Sequence, residues 1–472
     1  MPNKSLILVS LVLLLGAWGV ARFIALDAAP KGFYTDEAFG AANITNYVQH
    51  GTNISGNKFP IFSPVAPEKG SSYPPIGFTS PTYLYLGSIW AYIFGTEPSN
   101  FRAFIAAICT LTILGIGVLT YQISWYFRGE LNRAVVTWCT VALAAISPNL
   151  WQFSRIAWDP PLMPLFIVWG LVAFTYAVRA KDTQKAILIS ILGGIALVLS
   201  VYSYSAAAPI VVIACAWFGI TILRQHRTFS KRNILTAAIG VLLLGGFSIP
   251  YLKFSASPEA KVRPSVIGLF SPYYRSISHK SNTQLAIQGV QNMIAHYNPY
   301  YLWVSGDKNL RHSTTAFGTL SWVELLILLY SLPALLMTKG KKHWPWLGAT
   351  FLGTALGILP AALTWEGTPH ALRSIASIPF FCIFFGILAA ISIKELKGVS
   401  WIYLCTAIIY TVAFMNYYFC KYPEASQPWF DVPITNAANI GLKQNNWQPF
   451  ELATKGYPPY AKRYHELRTK HN

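Results

Sequence analysis

Polar positions along the 472 residues come in short bursts between long apolar runs. A run of about 20 apolar residues is what a helix needs to cross a hydrocarbon layer about 30 Å thick. Stretches of that kind occupy residues 5–26, 101–123, 134–149, 160–178, 186–204, 206–223, 234–252, 320–337, 344–363, 374–393 and 401–418. They predict an all-α polytopic membrane protein, a bundle of about eleven transmembrane helices. A further apolar stretch, 81–94, is too short to cross and reads as a juxtamembrane or re-entrant helix. The first run has a long apolar core, Arg22 interrupts its end, and no small-x-small cleavage site follows, so it reads as a retained helix.

The basic residues divide the connections into two sets. Lys4, Arg128 and Arg133, then Arg179, Lys181 and Lys185, then Arg224, Arg227, Lys231 and Arg232, then Lys339, Lys341 and Lys342, and finally Lys394 and Lys397 fall on one side. The positive-inside bias makes that side the cytoplasm. Residues 25–100, 152–159, 203–206, 253–319, 365–373 and a polar tail at 421–472 are then external, and residues 1–420 form one transmembrane domain. If 81–94 crossed, Arg128 and Arg133 would lie outside. The net charge of +19 is spread over these clusters instead of forming one basic face, which argues against a nucleic-acid partner. The six cysteines sit in or at the ends of apolar runs, with neither a disulfide framework nor metal-ligand spacing.

Only 17 residues are acidic, so the adjacent pair Asp36-Glu37 just beyond the first span stands out. It serves either the dipole of a helix starting there or a general base that takes a proton from an acceptor hydroxyl. Three other external segments carry mixed charge: Ser154-Arg155 with Asp159 before two prolines, Gly306-Asp307 through Arg311-His312, and Pro369-His370 with Arg373. Asp159 also suits the cap of the next helix, and the arginines suit phosphate as well as headgroup anchoring. A pore or carrier would place polar groups near mid-membrane, whereas here they gather at the outer ends of the spans.

At these residues the chain resembles the polyprenyl-phosphate-sugar-dependent glycosyltransferases of the GT-C fold, the group that contains protein O-mannosyltransferases and lipid A aminoarabinose transferases. The resemblance covers most of the membrane region. It rests on Asp36-Glu37-Ala38, Tyr73-Pro74-Pro75, the 81–94 segment ending in Phe94-Gly95, Phe101-Arg102, Ser154-Arg155 with Asp159, Gly306-Asp307 with Asn309, and Pro369-His370 with Arg373. The aminoarabinose transferases carry a lysine before the proline where Tyr73 stands here, and the nearest lysine, Lys69, is offset.

The resemblance implies Asp36 as catalytic base with Glu37 adjacent, and Asp159 as the second acid. Arg155, His370 and Arg373 would hold the lipid phosphate, with Lys69, Asp307 and His312 as further substrate contacts. The implied reaction is an inverting transfer of a hexosyl or pentosyl group from a polyprenyl-phosphate donor to a hydroxyl of a lipid, glycan or protein. A divalent metal fits if Asp36, Glu37 and Asp159 converge. The alternatives are a ligase or polymerase of lipid-linked glycans, relying on basic residues of a late loop, and a flippase, needing polar groups deep in the spans. In a bacterium the site would face outward from the plasma membrane. Asn43-Ile44-Thr45 and Asn53-Ile54-Ser55 are glycosylation sequons on that side.

Overall fold

The computed structural model describes residues 4–64, 78–127, 129–225, 231–338, 342–444, 446–453, 464, 466 and 467. Lys69 and Tyr73-Pro74-Pro75 lie outside the described residues. In order the helices are α1 (Lys4–Ala21), α2 (Thr35–His50), α3 (Pro81–Phe94), α4 (Pro98–Ile123), α5 (Arg133–Ile146), α6 (Pro148–Phe153), α7 (Leu162–Arg179), α8 (Thr183–Ser203), α9 (Ala208–Gln225) and α10 (Lys231–Ala256). There follow α11 (Pro258–Ile267), α12 (Pro272–Ser278), α13 (Asn282–Ala295), α14 (Trp322–Met337), α15 (Trp344–Ala362), α16 (Ile378–Glu395), α17 (Val399–Cys420), α18 (Tyr422–Ala425) and α19 (Val432–Gln444). A two-residue antiparallel ribbon pairs Ser63 with Thr79 and Pro64 with Phe78.

Six helices are long and apolar enough to cross a membrane: Pro98–Phe127, Leu162–Arg179, Thr183–Ser203, Trp344–Ala362, Ile375–Glu395 and Val399–Cys420. Four shorter apolar helices, Val12–Ala21, Arg133–Ile146, Ser205–Trp217 and Trp322–Met337, coincide with four more of the expected runs. The remaining run lies in α10, which carries Pro250 inside it. The expected count of about eleven thus resolves into six full-length spans among the described residues, with shorter or interrupted helices at the other runs. Helix α3 has the bounds expected for the non-crossing segment; its 14 residues reach only about 21 Å.

Local chemistry moves three boundaries. The first helix stops at Ala21, not at residue 26, because Arg22 turns inward and donates to Leu150 O, Ser154 Oγ and Ala145 O. The 134–149 run breaks at Ser147, whose hydroxyl accepts Leu150 N–H and caps α6, with Pro148 as its first residue. The chain resumes as α7 only after Pro160-Pro161.

Helix α16 is the centre of the bundle: 94% of its apolar window is buried, against 22% for α17. It packs against α5, α14 and α15, and α4 bridges α5 and α7. Gly386 lets α16 press onto α5 at Thr140, where a Cβ would find no room. Small residues at such contacts are the usual way for membrane helices to gain dispersion contact.

The two ends of α4 separate two kinds of polarity. Near its C-terminal end Arg133 and Arg179 lie over the Trp125 ring, and Glu130 accepts Lys342 N–H at 2.9 Å, so three of the basic connections meet there. At its N-terminal end, about 35 Å away at 1.5 Å per residue, Arg102 is wholly buried in the first loop. Its Nε and Nη2 grip Glu37 at 2.9 and 2.8 Å, and its remaining N–H groups donate to Leu26 O, Pro30 O and Gly32 O. Arg155, also buried, donates to the carbonyls of Arg22, Ile24, Ala25 and Ala29. These arginines supply the hydrogen bonds that a non-helical backbone needs when it is packed inside protein.

Both sequon asparagines are buried: Asn43 Nδ2 donates to Thr79 Oγ1 and Asn53 Nδ2 to Ser63 Oγ, so neither amide is free for a glycan.

Replacing Arg102 by methionine should destabilise the protein by about 3–5 kcal/mol, because it strands the Glu37 carboxylate in a dry site. The check is the denaturant midpoint of the detergent-solubilised variant; a midpoint equal to wild type contradicts the assignment.

Candidate active site

Helix α2 begins at Thr35 with Tyr34 as its extended N-cap. Glu37, in the third helical position, reaches back so that Oε2 accepts Tyr34 N–H, while Oε1 accepts Ala157 N–H at 2.8 Å as well as Arg102. Every lone-pair direction of this carboxylate is occupied and it is fully buried. Consecutive helical residues point about 100° apart. Asp36 is accordingly exposed, on the wall of a cavity of about 810 Å³.

Asp159 lines the same cavity. Its carboxylate does not cap α7; it is held by the backbone N–H and hydroxyl of Ser80, the N-cap of α3. Burial pushes its acid up to about 7, the nearby Asp36 charge adding to that against the Ser80 hydrogen bonds.

The basic side of the cavity comes from later in the chain. Arg373 is nearly buried there, fixed by Thr364 Oγ1 and Glu366 O at 2.9 Å each. Arg263 of α11 is exposed on the same wall, and Tyr204 feels the charges of both arginines and of Asp159. Phe62, Phe78 and Phe254 supply an apolar face: Phe62 and Phe254 stack at 3.9 Å, and Phe78 meets Phe254 edge-on at 4.8 Å. Carboxylates, guanidinium groups and an aromatic face therefore share one cavity, a combination suited to a ligand with an anionic group, an apolar tail and a hydroxyl to be activated.

Of the residues expected from sequence, Asp36, Asp159 and Arg373 converge on this cavity. Glu37 and Arg155 do not reach it: one is saturated by Arg102 and backbone N–H groups, the other by four carbonyls. Burial lowers the Arg155 pKa, as for a cation committed to neutral acceptors. With Glu37 occupied, the three acids do not form one metal donor set.

Asp307, His312 and His370 instead form a cluster of their own, separate from the cavity walls. His312 Nδ1 lies 3.0 Å from Asp307 Oδ2, and His370 Nδ1 lies 3.9 Å from the same oxygen. Burial alone would raise Asp307; the hydrogen bonds from His312 and from Asn309 N–H hold it below its usual range. Burial, then His312 and Arg373, push His370 down to about 2, so its imidazole is neutral. Trp158 joins the two regions, lining the cavity and packing 5.8 Å from the His312 ring.

Sequence reasoning missed Ser80, Tyr204 and Arg263. Tyr204 lay in a recognised external turn, but Ser80 and Arg263 carry no local motif. The tail at 421–472 does more than its polar composition suggested. Asp431 Oδ2 accepts both Thr35 N–H and its hydroxyl at 2.9 and 2.8 Å, and Arg311 lies 4.6 Å over the Tyr34 ring while donating to Trp429 O. Gly32, at φ +82°, passes so close that a Cβ would sit 2.1 Å from Phe430 O.

No family model matches the chain, and no curated protein does. Among solved structures it is similar to the oligosaccharyltransferase of Archaeoglobus fulgidus in the apo form, with a TM-score of 0.48 and 15% identity over 97% of this chain and 60% of that one. It is also similar to the same archaeal enzyme in complex with an inhibitory peptide and a dolichol-phosphate, with a TM-score of 0.44, 14% identity, and 97% and 59% coverage. Similarity to ArnT from Cupriavidus metallidurans bound to undecaprenyl phosphate has a TM-score of 0.45 at 12% identity, covering 97% of this chain and 77% of that one. The chain thus spans about 60% of the length of the archaeal enzyme.

Asp159 binds a proton more tightly in the folded state, at about 7, than at its ordinary value of 3.8. Its stabilising contribution is therefore complete below pH 3.8 and is lost as the pH rises through about 7. Thermal midpoints measured across that range should fall for wild type and fall less for Asp159→Asn. Parallel curves contradict the assignment.

Proposed function

We propose that this protein is an integral membrane glycosyltransferase that moves a sugar from a polyprenyl-phosphate donor to the hydroxyl of a lipid, glycan or protein. Its active site is the cavity at the external ends of the spans, facing outward from the plasma membrane in a bacterium. The observation that carries this reading is the meeting of Asp36 and Asp159 with Arg263 and Arg373 in one cavity with an aromatic face.

Each part of the reaction then has a group on hand. The donor's hydrocarbon lies against Phe62, Phe78 and Phe254, and its phosphate sits between Arg263 and Arg373, whose planar N–H arrays match phosphate oxygens. Asp36, exposed in the cavity, takes the proton of the acceptor hydroxyl. The acceptor oxygen attacks the anomeric carbon as the bond to the phosphate oxygen breaks, and the electron pair leaves with the polyprenyl phosphate. The transition state is oxocarbenium-like and the configuration inverts. Charge grows on the departing phosphate, where the two guanidinium groups stabilise it more than in the ground state. Asp159, held by Ser80 and protonated up to about pH 7, donates a hydrogen bond to the sugar or acceptor. Glu37 and Arg155 act only through the loop they hold.

The test uses purified protein with synthetic short-chain polyprenyl-phosphate sugars and follows release of polyprenyl phosphate. Asp36→Asn should lose more than about 100-fold in rate, the range of a missing general base, with an unchanged unfolding midpoint. Arg373→Ala should mainly weaken donor binding. Equal release by wild type and Asp36→Asn removes Asp36 from the chemistry, and tight donor binding without any release favours a carrier.

A further inference from the structure

The transfer chemistry makes no use of the buried cluster of Asp307, His312 and His370. Their three donor atoms, two imidazole nitrogens and a carboxylate oxygen, all lie within 4.8 Å of one another. Ordinary hydrogen bonding accounts for one of the approaches: His312 Nδ1–H donates to Asp307 Oδ2 at 3.0 Å. It does not account for the other. His370 Nδ1 accepts the backbone N–H of Arg373 at a long 3.4 Å and stands 3.9 Å from Asp307 Oδ2, beyond hydrogen-bond distance. A cation between them would draw both donors, with His312, into one coordination sphere.

The surroundings hold all three donors in place. Asn309 N–H donates to Asp307 Oδ1 and Ala371 N–H to Oδ2. The backbone N–H of His370 donates to His296 Nε2, and His296 Nδ1–H donates in turn to Asn292 O. The His312 and His370 rings are 4.6 Å apart. Outer-sphere hydrogen bonds of this kind orient ligands around metals.

We propose that Asp307, His312 and His370 bind one divalent ion of the zinc type. Two nitrogens and one oxygen suit a borderline first-row ion, whereas calcium and magnesium prefer all-oxygen sites. Ligands about 2.0–2.1 Å from zinc stand about 3.4 Å apart, so a small rotation of His370 completes the set. Binding requires the His312 tautomer with its proton on Nε2, so that Nδ1 turns its lone pair to the ion, and water takes the fourth position. The ion ties the loop bearing Asp307 to the turn bearing His370, three residues before Arg373. It positions the cavity arginine and does not touch the substrate.

The test is titration of metal-stripped protein, purified without a polyhistidine tag, with Co²⁺, read as ligand-field absorption in the visible. Wild type should saturate at one ion per chain, and Zn²⁺ should displace the signal. His370→Gln and His312→Gln should each weaken binding by more than about 100-fold, beyond the 10–100-fold cost of losing an outer-sphere partner. Zn²⁺ should raise the wild-type unfolding midpoint and Mg²⁺ should not, a reading that stands even where a variant fails to fold. Absence of both the Co²⁺ signal and the Zn²⁺ shift at millimolar ion overturns the proposal, as do variants that titrate like wild type. The readout is ion binding, so it is independent of whether the transferase reading holds.

Discussion

The ion pair between Glu37 and Arg102 is the constraint on which the external half of the molecule depends. Both groups are sealed from water. Stripping hydration from two charges costs several kcal/mol each, so such a pair persists only where every remaining donor and acceptor is satisfied. Arg102 meets that condition by holding three carbonyls of the first loop, and Glu37 by holding the N–H groups of Tyr34 and Ala157. One pair thereby joins α4, the first loop, the start of α2 and the loop before α7. Because Glu37 is drawn inward, Asp36 is turned out into the cavity. The neighbouring acid thus owes its direction to a residue that does not reach the cavity.

Arg22 and Arg155 extend the same device, so the polar groups between α1 and α2 are paired inside protein although that segment is not helical. From the other side the segment is held by Asp431, Trp429 and the close passage of Phe430 over Gly32. The cavity acid Asp36 thus stands at the end of a segment held by hydrogen bonds from both sides. The cations of the same cavity are held differently: Arg263 stands exposed on α11, and Arg373 is anchored through Thr364 and Glu366. Acids and cations that line one cavity suit a reaction in which a proton leaves one partner while negative charge appears on the other.

Much of this organisation was legible in the sequence because a membrane makes polar placement costly. The apolar runs mark nearly all the long helices, the scarcity of acids singled out the Asp36-Glu37 pair, and the mixed charge before two prolines brought in Asp159. The basic clusters around Arg133, Arg179 and Lys342 do gather at one end of α4. Residue pattern alone could not separate Asp36 from Glu37, which only the resemblance ranked, or Arg373 from Arg155. Each is an external charged residue beside a span, and only the third dimension reveals which one faces a carbonyl cage and which a cavity. The stop at Ala21 was hidden for the same reason, since Arg22 finds its acceptors more than 120 residues away. Ser80 and Arg263 sit in segments whose local pattern says only helix cap and surface helix. The anchoring role of the polar tail was hidden because its contacts are single side chains that meet distant loops.

The most direct measurement is a high-resolution cryo-electron microscopy structure of the protein with a short-chain polyprenyl phosphate. The phosphate should lie between Arg263 and Arg373, the chain along Phe62, Phe78 and Phe254, and Asp36 should face the phosphate across the remaining space. Phosphate density against Arg155, or a ligand lodged away from the Asp36 and Asp159 wall, would contradict that arrangement.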